Sequence, residues 1–547
     1  MYKTLTIIWL FLMSVSILFA QSIKSDPIYA IAISPQNPDI IYAGSKGVVY
    51  IVERDNLFSY TPSKKEVWLR FIPDAEIGDF LSLAADPTNA KRAFAVTKLT
   101  SKLYNSTSVV LTTSDGGKNW DKVSIPEVMK YTFLNHKVGN YGPIAIDPLN
   151  PKIISVGAEG RATMLGEGPF DLACLILSTD GGDKWNISVI PRIGTRYPKP
   201  INSILSTSKS LFFSTPDGIF RFRNDVKKYG FLEGSPKNVT KLVVDPSNQD
   251  RILAITQDGK IYETINNGDS FALLVETNKK INCLTIDPKE PKTLWIGTDN
   301  GVFKSTDNGT TWNEMGKGQI KSKMVYSLAI NPANNQLMYC GTNQGLFVSE
   351  DQGITWQIYK TSAEKKAEKL LSQAESLELR KEYDKAIILY KQILDSFPTV
   401  ELTKVAEQKY KELKIANARK QIALVSEEKV RSAIDRLGLS VEESNALFSA
   451  ITNISRGSMI EIIINGLEMP LDEDSACQEY QKMTPFQKFY AILCYKDYRD
   501  RIIKEASERG EEVEMDVSEE LLDLLPGVSE ETIKKLCKIN PKNLIIK

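Results

Sequence analysis

Histidine is almost absent from this chain of 547 residues, and His136 is the single one. A metal site built on several histidines is therefore excluded, and a nucleophilic triad with a histidine base would depend on that one residue. Cysteine is scarce as well, and its six copies form neither a CxxC pair nor a Cys/His spacing of the zinc-binding kind. The sequence thus predicts no metal site, and it contains no cofactor motif.

The chain also lacks net charge, because 68 basic residues balance 68 acidic ones and the isoelectric point is about 6.7. A general nucleic-acid binder would show a basic face and a high isoelectric point. No nucleic-acid partner is therefore expected. Apolar runs long enough to span a membrane are absent after the N-terminal segment, so no membrane span is expected beyond it.

The first residues, "MYKTLTIIWLFLMSVSILFAQS", place Lys3 before an apolar run from Leu5 to Ala20. This pattern is typical of a signal peptide and predicts a signal segment at residues 1–21 with cleavage after Ala20. The protein is then expected to be exported to the periplasm, the cell envelope or the extracellular space. Leu18 does not fit the small-residue rule for the position two places before the cleavage site, so an uncleaved N-terminal anchor remains open.

The cysteines fall into two groups along the chain. Three lie in apolar, strand-like runs and are predicted to be buried and free: Cys174, Cys283 and Cys340. Three follow in the C-terminal part: Cys477, Cys494 and Cys537. An exported protein could pair two of the second group, but the sequence does not say which two.

A short motif, Ser/Thr-x-Asp-x-Gly-x-x-Trp, recurs along the first two thirds of the chain, as in "STDNGTTW" at 305–312. Its four copies place Asp115, Gly117 and Trp120; Asp180, Gly182 and Trp185; Asp307, Gly309 and Trp312; and Asp351, Gly353 and Trp356. A weaker copy at 264–271 has Asn266, Gly268 and Phe271. The Asp is predicted to accept backbone hydrogen bonds in a tight turn, the Gly to adopt a left-handed conformation, and the Trp to pack into an apolar layer. These residues are therefore expected to be structural and not catalytic.

The motif is preceded by a second recurring pattern, an apolar strand, an Asp-Pro-like turn and another strand, as in "LTIDPKEPKTLWIG" at 284–297. Fronts of this kind lie at 31–44, 83–96, 144–157, 242–255, 284–297 and 328–341, and a degenerate one lies at 204–222. A repeat of about 40–45 residues with four short strands is typical of a propeller blade. The count predicts a seven-bladed β-propeller over residues 22–360.

These segments resemble Asp-box repeats, also called bacterial neuraminidase repeats. Such repeats occur in sialidases, xyloglucan-cleaving glycosidases, sortilin-type receptors and photosystem II assembly factors. The resemblance covers residues 29–360 and implies the propeller fold. It does not choose a function, because the group contains enzymes, receptors and scaffolds.

The enzymes of this group imply residues that can be sought here. Sialidases carry an Arg-Ile-Pro motif near the start of the propeller, whereas this chain has "RFIP" at 70–73 and "PRIG" at 191–194. Arg70 and Arg192 are therefore expected to be ordinary surface residues. The xyloglucan-cleaving enzymes join two propellers, each with one catalytic Asp, and only one propeller fits this chain. A glycosidase needs two carboxylates across its site, and the sequence offers no such pair, so no enzymatic activity is expected.

The pattern becomes helical after residue 361. Residues 361–420 contain "EYDKAIILY" and resemble one tetratricopeptide repeat, with small, aromatic and terminating residues at Ala374, Leu377, Tyr383, Ala386, Tyr390, Ile393 and Pro398. A plain helical hairpin is the alternative. Residues 421–547 are predicted to form further helices of unknown type. Within them, 521–539 faintly resembles a helix-hairpin-helix, for which a small helical bundle is the simpler interpretation.

The predicted fold class is therefore multidomain, a seven-bladed β-propeller followed by a C-terminal all-α domain. Propellers present a face around a channel and helical repeats present a groove, and both serve as platforms for partners. The sequence thus favours a non-catalytic protein-binding or assembly scaffold with a protein partner. The alternative is a carbohydrate-binding protein or glycoside hydrolase with its site on the propeller face. Exposed Trp or Tyr residues on that face, with acidic residues between them, would favour the alternative.

Overall fold

The computed structural model describes residues 26–53, 56–60, 76–100, 107–125, 128–131, 134–162, 170–190, 199–223, 228–316, 319–398, 402–509 and 517–545. The predicted signal segment with its cleavage position Ala20, and also Arg70 and Arg192, lie outside these residues. The chain divides into two compact units at the junction between Ser362 and Ala363.

The first unit is a ring of seven antiparallel sheets, counted over the described residues. Blade 1 contains β1 (Ala30–Ile33), β2 (Ile40–Gly44), β3 (Val49–Glu53) and β4 (Asn56–Tyr60); blade 2 contains β5 (Glu76–Ala85), β6 (Ala93–Thr100), β7 (Thr107–Thr113) and β8 (Asp121–Lys122); blade 3 contains β9 (Val128–Tyr131), β10 (Leu134–Ile146), β11 (Ile154–Ala162), β12 (Phe170–Ser178) and β13 (Asn186–Val189).

The remaining blades are regular four-stranded sheets. Blade 4 contains β14 (Ser203–Ser206), β15 (Ser210–Thr215), β16 (Gly218–Arg223) and β17 (Lys228–Phe231); blade 5 contains β18 (Val239–Asp245), β19 (Asn248–Thr256), β20 (Lys260–Thr264) and β21 (Ala272–Glu276); blade 6 contains β22 (Ile281–Ile286), β23 (Leu294–Thr298), β24 (Gly301–Ser305) and β25 (Asn313–Glu314); blade 7 contains β26 (Val325–Ile330), β27 (Met338–Thr342), β28 (Gly345–Ser349) and β29 (Gln357–Ile358). The predicted seven-bladed propeller is confirmed.

The strands of a blade differ in burial because neighbouring blades cover both faces of each sheet. The second strands of blades 1, 4, 6 and 7 are buried throughout. For this reason they read as continuous apolar runs and do not alternate. The innermost strands, such as β1, stay partly exposed beside the channel. Blades 7 and 1 close the ring without exchanging a strand, through a hydrogen bond from the Ile28 backbone N–H to the Thr342 carbonyl (2.9 Å).

The strand order places the connections of each blade at two opposite ends. In an antiparallel meander, the turns between the first and second strands and between the third and fourth lie at one end. The recurring Asp-Pro turns and the Asp motifs both fall there, and we call this end the box face. The turns between the second and third strands, and the connections to the next blade, lie at the other end, which we call the mouth face.

The second unit is helical, with ten α-helices among the residues that the structure describes. They are α1 (Ser362–Leu379), α2 (Tyr383–Ser396), α3 (Leu402–Ala423), α4 (Glu427–Asp435), α5 (Val441–Thr452), α6 (Arg456–Glu461), α7 (Glu473–Lys482), α8 (Pro485–Glu508), α9 (Val517–Leu524) and α10 (Glu530–Leu536). A π-helical turn at Ile462–Gly466 follows α6, and a 3₁₀ turn at Pro541–Leu544 follows α10. The predicted all-α C-terminal region is confirmed.

Two hydrophobic clusters lie in this helical unit. The smaller one joins α1, α2 and the start of α3 around Ala374 and Tyr390. The larger one runs from Ala418 to Leu544 and includes the middle of α8. Among the described helices, no single one is long and apolar enough to cross a membrane. One pair, bent by 82°, meets that test by length and composition together: Val441–Thr452 with Arg456–Gly466.

Candidate functional site

The recurring Asp motif forms one closed turn, which blade 6 illustrates. The hydroxyl of Ser305 donates to Asp307 Oδ1 (2.7 Å) and accepts from the Gly309 backbone N–H (2.8 Å). Asp307 also accepts from the backbone N–H and the hydroxyl of Thr311, at 2.9 and 2.7 Å. The bonds around the hydroxyl and Oδ1 recur at Asp115, Asp180, Asn266 and Asp351. We call these five motifs the box turns.

The carboxylates of the box turns are kept ionised by these bonds. Hydrogen bonds from Thr311 lower the pKa of Asp307 to about 2. Burial by itself would raise the pKa of Asp115 and Asp351, but the hydrogen bonds of their turns outweigh it and the pKa is lowered. A general acid of a glycosidase needs a raised pKa instead, so these groups are unsuited to that role.

The glycine and the aromatic residue complete each box turn. The five box glycines all have positive φ, from +74° at Gly353 to +100° at Gly182, where a side chain would be strained. The indole N–H donates to the carbonyl of that glycine at Trp120 (3.1 Å), Trp185 (2.8 Å) and Trp356 (3.1 Å). Among the described residues, the indole N–H of Trp312 has no such partner. In the weaker copy, Phe271 is only half-buried.

Each box turn also lies against the preceding blade, which the sequence analysis did not predict. A side chain at Gly353 would meet the ring of Trp295 in blade 6 at 2.5 Å, and one at Gly117 would meet Ile51 in blade 1 at 2.5 Å. Arg251 of blade 5 donates to the side chain of Asn308 in the box turn of blade 6. The turns therefore join neighbouring blades as well as closing their own hairpins.

Two arginines connect neighbouring blades, and each is held in place by a buried carboxylate. Arg251 is paired with Asp245 (2.8 Å) and Glu263 (2.7 Å), and Asp245 is buried. Arg92 of blade 2 is paired with buried Asp86 (3.0 Å) and donates to the Gly181 carbonyl of blade 3. Both arginines follow the Asp of their Asp-Pro turn by the same spacing. A comparison of the repeats at that position could have shown them from the sequence.

The sequences of blades 1 and 4 lack the box motif, and the seams that precede these blades have other hydrogen bonds. Between blades 3 and 4, the Ser206 hydroxyl donates to buried Asp147 (3.0 Å). Between blades 7 and 1, the Ile31 backbone N–H donates to the Ser327 hydroxyl (3.2 Å), beside the closure at Ile28. The box face is thus occupied largely by turns that hold the ring together.

One cavity opens on the box face between blades 2 and 3, with a volume of about 530 Å³. Arg92, Lys122, Lys152, Asp180 and Asp183 contribute charges of both signs to its wall. Arg92 is held by Asp86, and Asp180 accepts bonds from its own turn. The pKa of Asp180 is lowered, first by the backbone N–H of Lys184, so Asp180 is unsuited to the role of a protonated general acid.

The mouth face presents a different set of residues around the channel. One residue per blade, at the start of the innermost strand, is at least partly exposed there: Tyr29, Leu81, Asn202, Thr240, Asn282 and Tyr326. We call these six the mouth ring; the equivalent residue of blade 3 is Gly142, which has no side chain. The residue before each of them is buried: Ile28, Phe80, Ile201, Val239, Ile281 and Val325. The mouth ring therefore occupies equivalent positions in six blades, and at each of them a buried apolar residue is followed by a side chain that is at least partly exposed.

Backbone irregularities set these positions apart. Leu81, Thr240, Asn282 and Tyr326 are each left out of the strand register, between two residues that pair normally. Such a β-bulge bends the strand and re-aims the extra side chain, and bulges are frequent beside functional sites. The sequence analysis missed the mouth ring, although aligning the repeats on their Asp-Pro turns would have shown its positions.

The mouth ring has an aromatic side and a polar side. Tyr29 and Tyr326 pack with ring centroids 5.1 Å apart, and Leu81 of the adjoining blade is 37% exposed. Burial, and then Asp79, which accepts the Tyr29 hydroxyl, raise the pKa of Tyr29. On the polar side, Asn202, Thr240 and Asn282 follow one another in blades 4, 5 and 6.

An acidic residue stands beside the polar side. The Asn282 amide donates to Asp299 Oδ1 (2.8 Å), and Lys280 contacts Asp299 Oδ2 (3.1 Å). The bond from Asn282 and the charge of Lys280 lower the pKa of Asp299. Asn282 also donates to the Val325 carbonyl of blade 7 (3.1 Å), and Asn202 does the same to Val239 of blade 5 (2.9 Å). The two asparagines thus hold neighbouring blades in register at the mouth.

Blades 2 and 3 rise above the other blades at the mouth face. β10 has 13 residues and β11 has 9, whereas β22 and β23 have 6 and 5. Both sets of strands end at their Asp-Pro turns on the box face, so the extra residues extend beyond the mouth. At about 3.3 Å per residue they add roughly 20 Å of strand. The mouth face is therefore asymmetric, with a raised side at blade 3 and a low side at blades 5 to 7.

The residues that resemble a tetratricopeptide repeat lie on α1, α2 and the loop after α2. Ala374, Ala386, Tyr390 and Ile393 are buried and Leu377 is half-buried, whereas Tyr383 and Pro398 are exposed. The Tyr390 hydroxyl donates to Glu378 on α1. These residues form the packed seam of a helical hairpin, and the tetratricopeptide assignment stays a prediction.

The described cysteines form no disulfide with one another. Cys174, Cys283 and Cys340 are buried, as predicted, and no disulfide joins Cys477, Cys494 or Cys537. Burial raises the pKa of Cys174 and Cys283 to about 12, so neither forms a nucleophilic thiolate near neutral pH. His136 lies in β10, with its side chain outside the described part. Among the described residues, no cluster of three His, Cys, Asp or Glu side chains could hold a metal ion.

Comparison with known proteins gives one family match and several similar folds. The sortilin (neurotensin receptor 3) family model matches residues 300–421, which is less than half of the chain. No curated protein sequence matches this chain.

Among solved structures, a GH74 xyloglucanase from Xanthomonas campestris is 11% identical over 61% of this chain and 54% of its own, with a TM-score of 0.44. YCF48 from Cyanidioschyzon merolae is 13% identical over 60% of this chain and 95% of its own, with a TM-score of 0.41. YCF48 bound to a D1 peptide is 12% identical over 60% and 93%, with a TM-score of 0.39. This chain thus spans about half of the xyloglucanase. These solved structures are similar to this chain in fold.

Proposed function

We propose that this protein is a non-catalytic protein-binding or assembly scaffold, and that the mouth face of its propeller holds the partner. The observation that carries the proposal is the mouth ring, where six blades expose a side chain at the same place although the preceding residue is buried. Tyrosine is enriched at protein interfaces because it combines a large apolar area with a polar end. A rigid ring with an aromatic and a polar side suits the docking of a protein segment.

The acidic residues of the described propeller support a binding role better than a catalytic one. The box carboxylates accept hydrogen bonds within their own turns and have lowered pKa values. Asp299 at the mouth is bound by Asn282 and Lys280 and has a lowered pKa too. Glycosidase chemistry needs one carboxyl with a raised pKa facing a second carboxylate. These carboxylates supply no candidate for the first of these roles.

A second candidate function is glycan binding at the same mouth. The partly exposed pair Tyr29 and Tyr326 lies beside Asp79. Aromatic rings next to an acidic residue offer a stacking surface and a hydrogen-bond acceptor for a sugar. This candidate shares the mouth ring with the first one, so the experiment has to separate the two.

We also propose that the protein is exported, on the basis of the N-terminal pattern of Lys3 followed by the apolar run from Leu5 to Ala20. The partner is then a protein of the cell envelope or the extracellular space. Cell fractionation, with N-terminal sequencing of the mature chain, tests this and distinguishes cleavage after Ala20 from a retained anchor. Recovery of the whole chain in the cytoplasm would contradict export.

The binding proposal is tested by affinity capture from the native envelope with the full-length tagged protein. In one variant, Leu81→Ser and Tyr326→Ser remove the apolar side of the mouth. In the matched control, Leu149→Ser removes a leucine that is 73% exposed on the box face. We expect the mouth variant to lose a captured protein that the wild type and the control both retain.

The glycan candidate is tested on the same three proteins with sialosides and β-glucans. If the mouth variant captures the same protein as the wild type, the mouth is not the binding site. Binding or turnover of one of these glycans, lost in the mouth variant but not in the control, would replace the scaffold function by a glycan function.

A further inference from the structure

Lysines accumulate on the low side of the mouth face. Six lysines lie in or beside the three successive connections that lead into β18, β22 and β26: Lys237 and Lys241, Lys279 and Lys280, and Lys321 and Lys323. We call these six residues the lysine arc. The spacing repeats with the blades, so the pairs are placed by the propeller's rotation along one side of the channel mouth.

Part of this charge is not matched by nearby carboxylates. Lys237 and Lys241 are exposed, and among the described residues neither is within ion-pair distance of an acid. Lys279 lies over the Phe303 ring at 4.1 Å, and Lys323 contacts the neutral side chain of Gln344.

The remaining two lysines have acidic neighbours. Lys280 is paired with Asp299 (3.1 Å), and Lys321 lies 3.9 Å from Glu314. Asp258 and Glu276 on this side are paired with Lys260, and one more acid, exposed Glu233, lies in the connection that carries Lys237. The arc therefore keeps an excess of positive charge.

The opposite end of the same blades carries the carboxylates of the box turns, including exposed Asp269 and Asp307. These acids help to balance the lysine arc in the chain as a whole, which has no net charge. A locally positive surface of this kind attracts anions and speeds their association, even on a neutral protein. The overall charge of the chain is thus a poor guide to this face.

The lysine arc adjoins the aromatic side of the mouth ring. Lys321 and Lys323 lie five and three residues before Tyr326 in the chain, and Tyr326 packs on Tyr29. A ligand that covers both features needs an apolar side chain for Tyr29, Tyr326 and Leu81, and several carboxylates for the lysines. An acidic peptide segment with an apolar residue has this chemistry, whereas a nucleic acid or a sulfated glycan would have no use for the exposed leucine.

We infer that the mouth face binds an acidic segment of the partner protein, with an apolar side chain at Tyr29, Tyr326 and Leu81 and carboxylates on the lysine arc. This inference rests on the proposed scaffold function and specifies the partner's chemistry. Because surface charges are screened over about 8–10 Å at physiological ionic strength, the binding depends on salt. The neutral asparagines of the mouth ring position the segment without adding charge.

The test uses the full-length protein and fluorescent twelve-residue peptides. The probe contains Asp, Glu, one Phe and one Leu; one comparison peptide replaces the acids by Lys, and another replaces Phe and Leu by Ser. The test variant is Lys237→Glu with Lys241→Glu. The matched control is Lys152→Glu with Lys292→Glu, which makes the same charge change at two exposed lysines of the box face.

We expect the acidic, apolar peptide to bind, and its affinity to fall as salt is raised. The variant with Lys237→Glu and Lys241→Glu should weaken binding roughly tenfold or more at low salt, while the box-face control stays near the wild type. The lysine peptide should not bind, and the serine peptide should bind more weakly. Equal weakening by the two variants, or equal binding of single-stranded DNA or dextran sulfate, would overturn the inference.

The capture experiment separates this inference from the proposed function. If a captured envelope protein depends on Leu81 and Tyr326 but not on Lys237 and Lys241, the scaffold function stands and the acidic segment is excluded. If it depends on neither pair, both proposals fail. Thermal unfolding followed by tryptophan fluorescence verifies that each variant retains a folded propeller.

Discussion

The propeller and the helical unit are stabilised in different ways. In the propeller, a single short motif closes a turn and also packs on the preceding blade, as Gly353 does against Trp295. In the helical unit, helix starts and core contacts belong to different residues. Ser440 and Thr484 form capping boxes at the surface, whereas Tyr480 and Phe489 lie in the core.

This difference predicts how single substitutions affect the stability of each unit. A box residue takes part in local and long-range contacts at once, so its replacement should affect two blades together. A cap residue supports one helix and leaves the packed core in place. All seven tryptophans precede residue 361, so tryptophan fluorescence reports on the propeller, and circular dichroism at 222 nm reports mainly on the helices.

The largest expected effect is the removal of a buried ion-pair partner in the propeller. Arg251→Ala leaves Asp245 and Glu263 without their cation and should lower the free energy of unfolding by about 3–5 kcal/mol. Arg456→Ala removes an exposed pair with Asp474 in the helical unit and should cost less than about 1 kcal/mol. Chemical denaturation, followed by fluorescence for the first and by circular dichroism for the second, measures both. Similar losses in the two variants would break the comparison.

The next effect is steric, at three glycines with positive φ. Gly353→Ala pays about 1–2 kcal/mol for the left-handed backbone and about 1–3 kcal/mol more for contact with the Trp295 ring. Gly234 in the propeller has the same φ of +74°, and Gly527 in the helical unit has +88°, with no described atom within 4 Å of an added Cβ at either. Alanine at Gly234 or Gly527 should therefore lower the free energy of unfolding only by the cost of the left-handed backbone. Thermal melts of the three variants measure the difference, and an equal loss at Gly353 and Gly234 would contradict the contact with the preceding blade.

A smaller effect is expected at a helix cap. Ser440→Ala removes the hydroxyl that accepts the Glu443 backbone N–H (3.1 Å) and should cost about 1 kcal/mol. Ser444→Ala makes the same substitution inside α5 and should be neutral or slightly stabilising, since Ala is the better helix former. Only the circular dichroism transition should move. A shift of the fluorescence transition by Ser440→Ala would show that the cap supports the propeller as well.

The smallest effect is a change in acid sensitivity. The pKa of Asp307 is about 2 in the folded protein and 3.8 ordinarily. Its contribution to stability is therefore complete above about pH 4 and is lost as the pH falls toward 2. Asp307→Asn should keep the turn, because Asn266 accepts the equivalent bonds in blade 5, and should make propeller stability less dependent on pH in this range. Fluorescence melts between pH 2 and 6 measure the dependence, and an unchanged pH profile would count against the role of the ionised carboxylate.

The sequence predicted the helical unit less completely than the propeller. Helical periodicity indicated helices after residue 361, and the seam residues Ala374, Ala386 and Tyr390 are buried. The larger cluster from Ala418 to Leu544 had no recognisable motif, since its members are spread over helices α3 to α10 and the 3₁₀ turn at Pro541–Leu544. Without a repeat, nothing in the sequence relates residues so far apart.

The candidate site also has a part that the sequence predicted and a part that it did not. The box turns could be described from the sequence, because Ser305, Asp307 and Gly309 contact one another within a few positions. The mouth ring and the lysine arc could not, although their residues stand in equivalent places of the repeat. Four of the mouth-ring residues owe their position to a bulge in the inner strand, and a bulge is not visible in a local sequence pattern.

What the sequence determined by itself is the number of blades and the chemistry of their turns. Hydrogen bonds within the eight-residue motif and the apolar strands around it specify both, and these interactions need no distant partner. Only the tertiary structure decided that the box face is taken up by joints between blades, while Tyr29 and Tyr326 meet at the open mouth. These two tyrosines are brought together by closure of the ring between blades 7 and 1. The contact exists because seven similar sheets, packed side by side, return the last blade to the first, a condition that no local pattern contains.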